Sequence, residues 1–281
     1  MKTIKQNPIR FILLFYAVCF VFRGIEYLVI RTDQSFIGEA FIHKLVGIAL
    51  LAVAVWLVKY KWRDIGFTAN NMIRNLFAGI LLGVVVFAIA YGTELIIHAA
   101  ADNAPSLRFY VTSYAIQGSR AMQDGLLFIL ICVIGNIINV IMEEGVFRGL
   151  FVRLTIERHS FFKATAISSI LFGFWHIAQP VRNVIDGEQS IPGAVMMGLM
   201  LVITSALLGI QYCMLYKITG SLWAGMAAHF INNASSNLLH VETVSGIDEL
   251  LTIRISVAQT LSFMIVLVFF LRYRRLKQTK T

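Results

Sequence analysis

The sequence has 281 residues, of which 58% are hydrophobic and only 14% are charged, and its mean hydropathy is +0.76. A soluble domain carries about a quarter charged residues, so this composition excludes an ordinary soluble protein and indicates several membrane spans. The net charge of +9 comes from bases that recur at the ends of apolar runs. This distribution argues against nucleic acid as a partner and is typical of membrane topology.

The apolar runs have the length of membrane-spanning helices. A helix needs about 20 apolar residues to cross the hydrocarbon core of a bilayer. The sequence contains about eight such runs, at approximately 11–30, 41–58, 75–98, 125–147, 161–178, 193–216, 221–240 and 252–271. Because the runs are continuously apolar rather than alternating, a β-barrel is disfavoured. The pattern predicts an all-α, polytopic membrane protein of about eight transmembrane helices.

The basic residues predict the orientation of these helices. With eight spans, the main basic clusters fall on one side: 2–10, 59–74, 153–163, Lys217 and 272–280. The connections on the other side are richer in Asp and Glu. By the positive-inside rule, both termini are expected in the cytoplasm, which in a bacterium means a protein of the cell membrane. We expect the basic tail to contact anionic lipid of the bilayer.

The chain divides into three parts by its content of polar residues within spans. Residues 1–124 comprise three spans and a long polar outer connection at 99–124, and they carry little chemistry. Within them Arg23 and Glu26, three positions apart, are expected to form an ion pair with each other. Residues 125–240 form the helical core that carries the functional candidates, and residues 241–281 form a last span and a basic tail.

The fourth span ends in adjacent carboxylates followed by an arginine. Glu144 and Arg148 are four positions apart, so on a helix they lie one above the other and can form an ion pair. Glu143 is rotated by about 100° and has no partner at that spacing, which leaves it free for another role. Ionisable residues inside a membrane are functional candidates because their burial is costly. The alternative is a purely structural ion pair with one spare acid.

Histidines and asparagines supply the other polar groups of the core. His176 lies near the end of the fifth span, where a lone histidine is more often structural than catalytic. In the seventh span His229 is followed by Asn232 and Asn233, at three and four positions. Both spacings bring an amide beside the imidazole, so spacing alone does not choose between the two asparagines.

These residue types are the parts needed to add water to an acyl carbon. A carboxylate or an imidazole can hold and deprotonate a water molecule. An amide and an imidazole can donate hydrogen bonds to the oxyanion that develops. Neither Gly-x-Ser-x-Gly nor His-Glu-x-x-His occurs, so the common soluble hydrolase classes are not supported. We expect the side chains to converge in a membrane-embedded, water-filled pocket that opens toward the cytoplasm.

The polar residues form three motifs, Glu-Glu-x-x-x-Arg at 143–148, Phe-x-x-x-His at 172–176 and His-x-x-x-Asn at 229–233. Together they resemble the motifs of the CPBP family of intramembrane proteases, also called Abi or CAAX prenyl endopeptidase (Rce1)-like. The resemblance covers about residues 125–240. It implies that Glu143 activates the water with His176, and that His229 and Asn233 stabilise the oxyanion. It implies a supporting role for Glu144 with Arg148.

Metal dependence is open at this stage. Glu143, His176 and His229 would make a three-ligand set for a catalytic zinc ion with one open position. The same residues can activate water without a metal, and His229 cannot easily be both ligand and oxyanion donor. The sequence therefore favours no tightly bound metal over a divalent metal such as zinc.

The sequence leaves alternative functions beside the endopeptidase. The expected substrate is a membrane-associated peptide or protein, with or without a lipid anchor. One alternative is a non-catalytic membrane regulator or bacteriocin-immunity-type protein of the same fold. A second is a transporter that uses Glu143 and the histidines as a proton relay. The absence of an internal repeat in the sequence weighs against the transporter.

Overall fold

The computed structural model describes residues 2–35, 37–112 and 122–279, and most of them are helical. The helices are α1 (Lys2–Gln6), α2 (Pro8–Ile25), α3 (Ile42–Leu57), α4 (Met72–Ala100), α5 (Leu126–Glu143), α6 (Val152–Thr155), α7 (Phe161–Trp175), α8 (Ala178–Ile185), α9 (Ile191–Thr219), α10 (Trp223–Leu238) and α11 (Leu251–Gln278). Segments of π-helix follow α2 at Glu26–Ile30 and α5 at Glu144–Phe151, and short 3₁₀ turns lie at Thr32–Gln34 and Trp62–Ile65.

The helices coincide with the apolar runs of the sequence. Six helical segments of the described chain are long and apolar enough to cross a membrane, and they contain α2, α4, α5, α7, α9 and α11. The remaining runs form α3 and α10, each of 16 residues. The prediction of an all-α polytopic membrane protein with about eight helices is therefore confirmed.

Contacts between distant connections define one end of the bundle, which we name the basic end: the connections 58–71, 156–160 and 220–222. The Tyr60 hydroxyl donates to Glu157 Oε1 at 2.5 Å, and the indole of Trp223 donates to Thr68 O at 2.6 Å. Successive helices therefore alternate in direction, as the distribution of bases predicted. The side of the membrane on which this end lies stays a prediction.

The opposite end, which we name the strand end, comprises the described parts of the connections there: 31–35, 37–41, 101–112, 122–125, 176–190 and 239–250. Ion pairs join its parts, since Arg31 Nη2 lies 2.6 Å from Asp186 Oδ1 and Arg182 Nη1 lies 2.7 Å from Asp33 Oδ2. These pairs tie α8 to the segment after α2. Part of the predicted outer connection, residues 113–121 with Arg120, lies outside the described residues.

Short strands, which the sequence did not predict, lie at the strand end. They are β1 (Ser106–Phe109), β2 (Val111–Thr112), β3 (Met122–Gln123) and β4 (Leu239–Glu242). β1 pairs antiparallel with β4, with Phe109 opposite Leu239, and β2 pairs antiparallel with β3. The β1–β4 pair connects the end of α10 to the segment after α4.

A buried ionic cluster lies beneath these strands. Arg254 donates to Glu94 Oε2 and to Asp248 Oδ1, both at 2.7 Å, and His240 donates to Asp248 Oδ2 at 2.6 Å. Burial disfavours the charged form of Asp248, but hydrogen bonds from His240, Arg254 and the Val241 N–H outweigh it and lower the pKa of Asp248 to about 2. The cluster fixes α4, β4 and α11 to one another.

The main core lies between α2, α3, α5 with its π-helical continuation, and α7. Its centre is aromatic: Phe147 contacts Phe151, Phe172 and Trp175 with ring centroids 5.4, 5.2 and 5.8 Å apart. Leu51 of α3 and Ile12 of α2 are also fully buried there. Such edge-to-face aromatic packing is favourable beyond the area that it buries. The core holds the end of α5 rigidly beside α7.

Candidate active site

The backbone changes from α-helix to π-helix at the acidic pair. Glu143 is the last residue of α5, and Glu144 begins the π-helical segment that ends at Phe151. A π-helix has wider turns, with hydrogen bonds between residues five apart, and such segments are frequent at functional sites. Here the carboxylates of both adjacent residues reach the same imidazole, that of His229.

Glu143 is enclosed by protein donors. Its side chain is 4% exposed, its Oε1 accepts from Trp175 Nε1 at 2.9 Å, and its Oε2 accepts from Asn139 Nδ2 at 3.2 Å. Its Oε2 also lies 3.6 Å from His229 Nε2, and its Oε1 lies 4.0 Å from Arg23 Nη1. The expectation that Glu143 has no partner is therefore wrong. That expectation considered one helix only, whereas its partners other than Asn139 come from α2, α7 and α10.

Glu144 lies between a histidine and an arginine. His229 Nδ1–H donates to Glu144 Oε1 at 2.9 Å, and Arg148 Nη1 lies 3.2 Å from the same oxygen. The ion pair that the i, i+4 spacing predicted is thus present, and it is fully buried. Because Glu144 accepts from Nδ1, the other nitrogen of His229 faces Glu143.

Aromatic rings hold the cationic and imidazole groups of the site in place. The Arg148 guanidinium lies 3.9 Å from the centroid of the Phe172 ring. The His229 ring stacks on Tyr212 with centroids 5.1 Å apart and planes at 19°, and it contacts the edge of Phe172 at 6.1 Å. The face of a ring attracts a cation. The rings therefore restrain both side chains while they add no competing acceptor.

His176 caps the C-terminus of α7. Its Nδ1–H donates to Phe172 O at 2.9 Å, which leaves Nε2 as the nitrogen available to act as a base. The His176 ring lies 5.0 Å from the Phe172 ring, so both histidines flank the same aromatic side chain. His176 also interacts electrostatically with Glu143 and His229. It is only half-buried, which makes it the more accessible of the two histidines.

The two asparagines of α10 differ in their partners. Asn232 is engaged at both ends of its amide, because it donates to Asn233 Oδ1 at 3.2 Å and accepts from Gln259 Nε2 at 3.1 Å. The hydrogen bond from Asn232 uses the side-chain carbonyl oxygen of Asn233 and leaves its two amide N–H donors unused. Asn233 lies one helical turn beyond His229, so its donors are available on the same face.

The residues proposed as zinc ligands do not form a metal-binding cluster. Within the described residues, no three His, Cys, Asp or Glu side chains converge closely enough to hold a metal ion. In addition, each oxygen of Glu143 already accepts from a protein N–H, that of Trp175 or that of Asn139. The donor set as arranged therefore does not fit a zinc ion.

The N-terminal helices also contribute to the site, which the sequence did not predict. Arg23 does not pair with Glu26, as expected, but donates to His43 Nε2 at 3.3 Å and approaches Glu143. Glu26 instead accepts from the backbone N–H groups of Ile42 and His43, at 2.9 and 2.5 Å, and so caps α3. The predicted pair does not form because Glu26 is engaged by α3 and by the His43 ring, and Arg23 by other partners.

Trp175 and Tyr212 are further site residues that sequence reasoning missed. Trp175 precedes His176 at the end of α7, and its indole N–H binds Glu143. A buried indole normally finds an acceptor, so a tryptophan beside a motif histidine was an available signal. Tyr212, on α9, has no such signal, because its contact with His229 depends on how the helices pack.

The comparisons with known proteins agree with the motifs. The family described as type II CAAX prenyl endopeptidase Rce1-like matches residues 125–235, about two fifths of the chain. This range contains all six predicted site residues. No curated protein matches the chain, and no solved structure does. Residues 125–235, which form most of the helical core of this multi-pass membrane protein, are therefore similar to the type II CAAX prenyl endopeptidase Rce1-like family.

Proposed function

We propose that the protein is an intramembrane endopeptidase that hydrolyses a peptide bond of a membrane-associated peptide or protein. The observation that carries the proposal is the position of His229 between Glu143 and Glu144, on the same helix as Asn233 and in contact with the same Phe172 ring as His176. A base, an oriented imidazole and unused N–H donors are together the requirements for attack of water on an acyl carbon.

Glu143 and His176 act on the nucleophile in this proposal. A water molecule between the Glu143 carboxylate and His176 Nε2 gives a proton to Glu143 as its oxygen attacks the carbonyl carbon. The carbonyl oxygen becomes the oxyanion of a tetrahedral intermediate. When the C–N bond breaks, the proton held by Glu143 passes to the leaving nitrogen. The products are an amine and a carboxylic acid, which loses its remaining proton to solvent, and no oxidant or cofactor is consumed.

His229 and Asn233 act on the oxyanion. Glu144 accepts from His229 Nδ1, and Arg148 balances the charge of Glu144, so the imidazole is held in one orientation. In this proposal His229 Nε2 is directed toward the oxyanion, and the Asn233 amide supplies a hydrogen-bond donor from the next helical turn. Preorganised donors of this kind contribute on the order of 3 kcal/mol each to stabilisation of the transition state.

The alternative is a non-catalytic regulator or immunity-type protein of the same fold. It is favoured by the enclosure of the acidic pair, since the side chains of Glu143 and Glu144 are 4% and 1% exposed and their oxygens accept from protein N–H groups. A purely structural ionic cluster would require only this burial and these hydrogen bonds. It has no use, however, for the free Nε2 of His176 or the free amide of Asn233, which is why the enzyme is preferred.

Cleavage of quenched-fluorescence peptides tests the proposal, with each peptide supplied both with and without a farnesylated cysteine. The purified protein is compared with Glu143→Gln and with Arg31→Gln, a control whose ion pair lies at the strand end. We expect the wild-type protein and the control to cleave, and Glu143→Gln to lose at least about a hundredfold in rate. Equal rates in the wild-type protein and Glu143→Gln would overturn the assignment of Glu143. No cleavage of any peptide by folded wild-type protein would favour the regulator.

A further inference from the structure

Outside the family domain, Arg23 of α2 has an unusual environment for a charged residue in a membrane span. Its side chain is 7% exposed, and its Nη1 lies 4.0 Å from Glu143 Oε1. Among the described residues it is the one arginine or lysine within that distance of Glu143. A buried charge is costly unless it is compensated, so this arginine is expected to have a defined electrostatic role.

The orientation of Arg23 is fixed from several sides. Its guanidinium lies 4.6 Å from the centroid of the Tyr27 ring and 4.7 Å from that of the Trp175 ring. Its Nη2 donates to the Tyr27 hydroxyl and its Nη1 to His43 Nε2, both at 3.3 Å. Because Arg23 can only donate, the His43 Nε2 must be the acceptor.

His43 and Glu26 link the Arg23 side chain to the backbone at the start of α3. Its Nδ1–H donates to Glu26 Oε2 at 2.5 Å, and Glu26 is itself held by the backbone N–H groups at the start of α3. The chain of contacts therefore runs from the N-terminus of α3 through Glu26, His43 and Arg23 to Glu143. The helices that precede the family domain thus hold a positive charge beside the proposed base.

We propose that Arg23 is a positioning residue of the active site: it keeps the Glu143 carboxylate ionised before water attacks. This inference rests on the proposed function in naming Glu143 as the base, but the contact itself does not. Trp175 donates to the same carboxylate oxygen, so Arg23 and Trp175 stabilise the charged form together. The ionised carboxylate is the form that can take a proton from water.

The other charged groups around Glu143 have different tasks. They are His229, His176 and, farther away, Lys44 of α3. The histidines take part in the proposed chemistry, and Lys44 donates to Glu39 Oε2 at 3.1 Å. Arg148 is engaged with Glu144. Arg23 is therefore the group whose removal changes the charge balance of Glu143 with the least effect on the other proposed steps.

The test compares Arg23→Gln with Arg23→Lys, which keeps the charge, and with the control Arg31→Gln on the adjacent segment. One measurement is independent of catalysis: the pH at which the infrared band of the protonated Glu143 carboxyl group appears, with the band assigned by its loss in Glu143→Gln. We expect this band to appear at higher pH in Arg23→Gln than in the wild-type protein, Arg23→Lys and Arg31→Gln, and to be missing from the double variant Arg23→Gln/Glu143→Gln. Spectra of Arg23→Gln and the wild-type protein without a difference would overturn the proposal.

The second measurement is the dependence of peptide cleavage on pH. An opposite charge at this distance typically changes the pH at which a carboxyl ionises by about one to three units. We therefore expect the acid limb of the Arg23→Gln profile to move to higher pH by about one unit or more, so that kcat at a pH on this limb falls by about tenfold or more and higher pH recovers it. KM should change little, since Arg23 acts through Glu143. A uniform loss at all pH values would indicate a structural role and contradict the proposal.

The outcomes separate this inference from the proposed function. If the wild-type protein cleaves no peptide, the proposed function fails, and the infrared band alone decides the role of Arg23. If the wild-type protein cleaves and Arg23→Gln matches Arg31→Gln in both measurements, only this inference fails. Should Arg23→Gln not fold, His43→Phe replaces it, because it keeps a ring but removes the acceptor that orients Arg23. It is expected to move the acid limb in the same direction by less, and an unchanged limb would refute the proposal.

Discussion

The buried pair of Glu144 and Arg148 allows stability to be separated from activity. Its N–O distance is 3.2 Å, and the side chains are 1% and 0% exposed. Removal of one partner leaves an uncompensated buried charge, which costs about 3–5 kcal/mol of the free energy of unfolding. We therefore expect Glu144→Gln and Arg148→Met each to lose stability by about that amount.

Removal of both charges should have a different effect. In Glu144→Gln/Arg148→Met the methionine can fill the space beside the Phe172 ring, which the guanidinium contacts at 3.9 Å. Replacing a buried ion pair by groups of similar volume is often neutral. We expect the double variant to regain most of the lost stability but not the activity, because His229 Nδ1 no longer donates to a carboxylate.

The assay is equilibrium unfolding in detergent for the wild-type protein, both single variants and the double variant, together with peptide cleavage. The coupling energy of the cycle should be several kcal/mol in magnitude. A double variant no more stable than the single variants would refute the argument that the cost comes from an unpaired charge. A double variant with wild-type activity would refute the role of Glu144 in orienting His229.

Further predictions concern single contacts. Asn233→Ala should lower kcat by about a hundredfold with little change in KM, whereas Asn232→Ala, which loses its contact with Gln259, should affect mainly stability; equal losses of kcat would contradict the choice of Asn233 as oxyanion donor. Trp175→Phe removes one hydrogen bond to a carboxylate and should lower kcat about tenfold at neutral pH, and an unchanged rate would exclude that bond from catalysis. Treatment with a zinc chelator, followed by its removal, should leave peptide cleavage unchanged, and a loss that added zinc restores would overturn the metal-free mechanism. The folded-state pKa of Asp248 is lowered to about 2 from 3.8, so the ionised carboxylate stabilises the folded protein fully above pH 3.8, and this contribution is lost as pH falls through about 2. After allowance for solvent screening the contribution is on the order of 1 kcal/mol. We expect a fall in Tm over this pH range in the wild-type protein that Asp248→Asn does not show.

The sequence predicted those features that depend on local pattern. Length and continuous hydrophobicity located the helices, since each must cover the same thickness of hydrocarbon. The ion pair of Glu144 and Arg148 follows from their i, i+4 spacing on one helix, and the structure contains this pair. The motif residues lie within the matched family range.

Features that depend on packing between helices were not predictable from local pattern. The contact between Arg23 and Glu143 joins residues 120 positions apart in sequence, and no periodicity along either helix encodes it. The expected pair of Arg23 and Glu26 did not form because Glu26 instead caps α3, and Glu143 acquired partners from other helices, which spacing along α5 does not encode. The short strands at the strand end were not predicted because their pairing links residues of distant connections.

The lengths of α3 and α10 have a consequence for the lipid around the protein. At about 1.5 Å per residue, these 16-residue helices are about 24 Å long, shorter than a hydrocarbon core of about 30 Å. A bilayer meets such hydrophobic mismatch by local thinning. Since α10 carries His229 and α3 carries His43, the thinned region would surround the proposed site. Headgroups and water would then lie closer to Glu143 than in an undeformed bilayer. The rate of cleavage should therefore depend on the thickness of the bilayer.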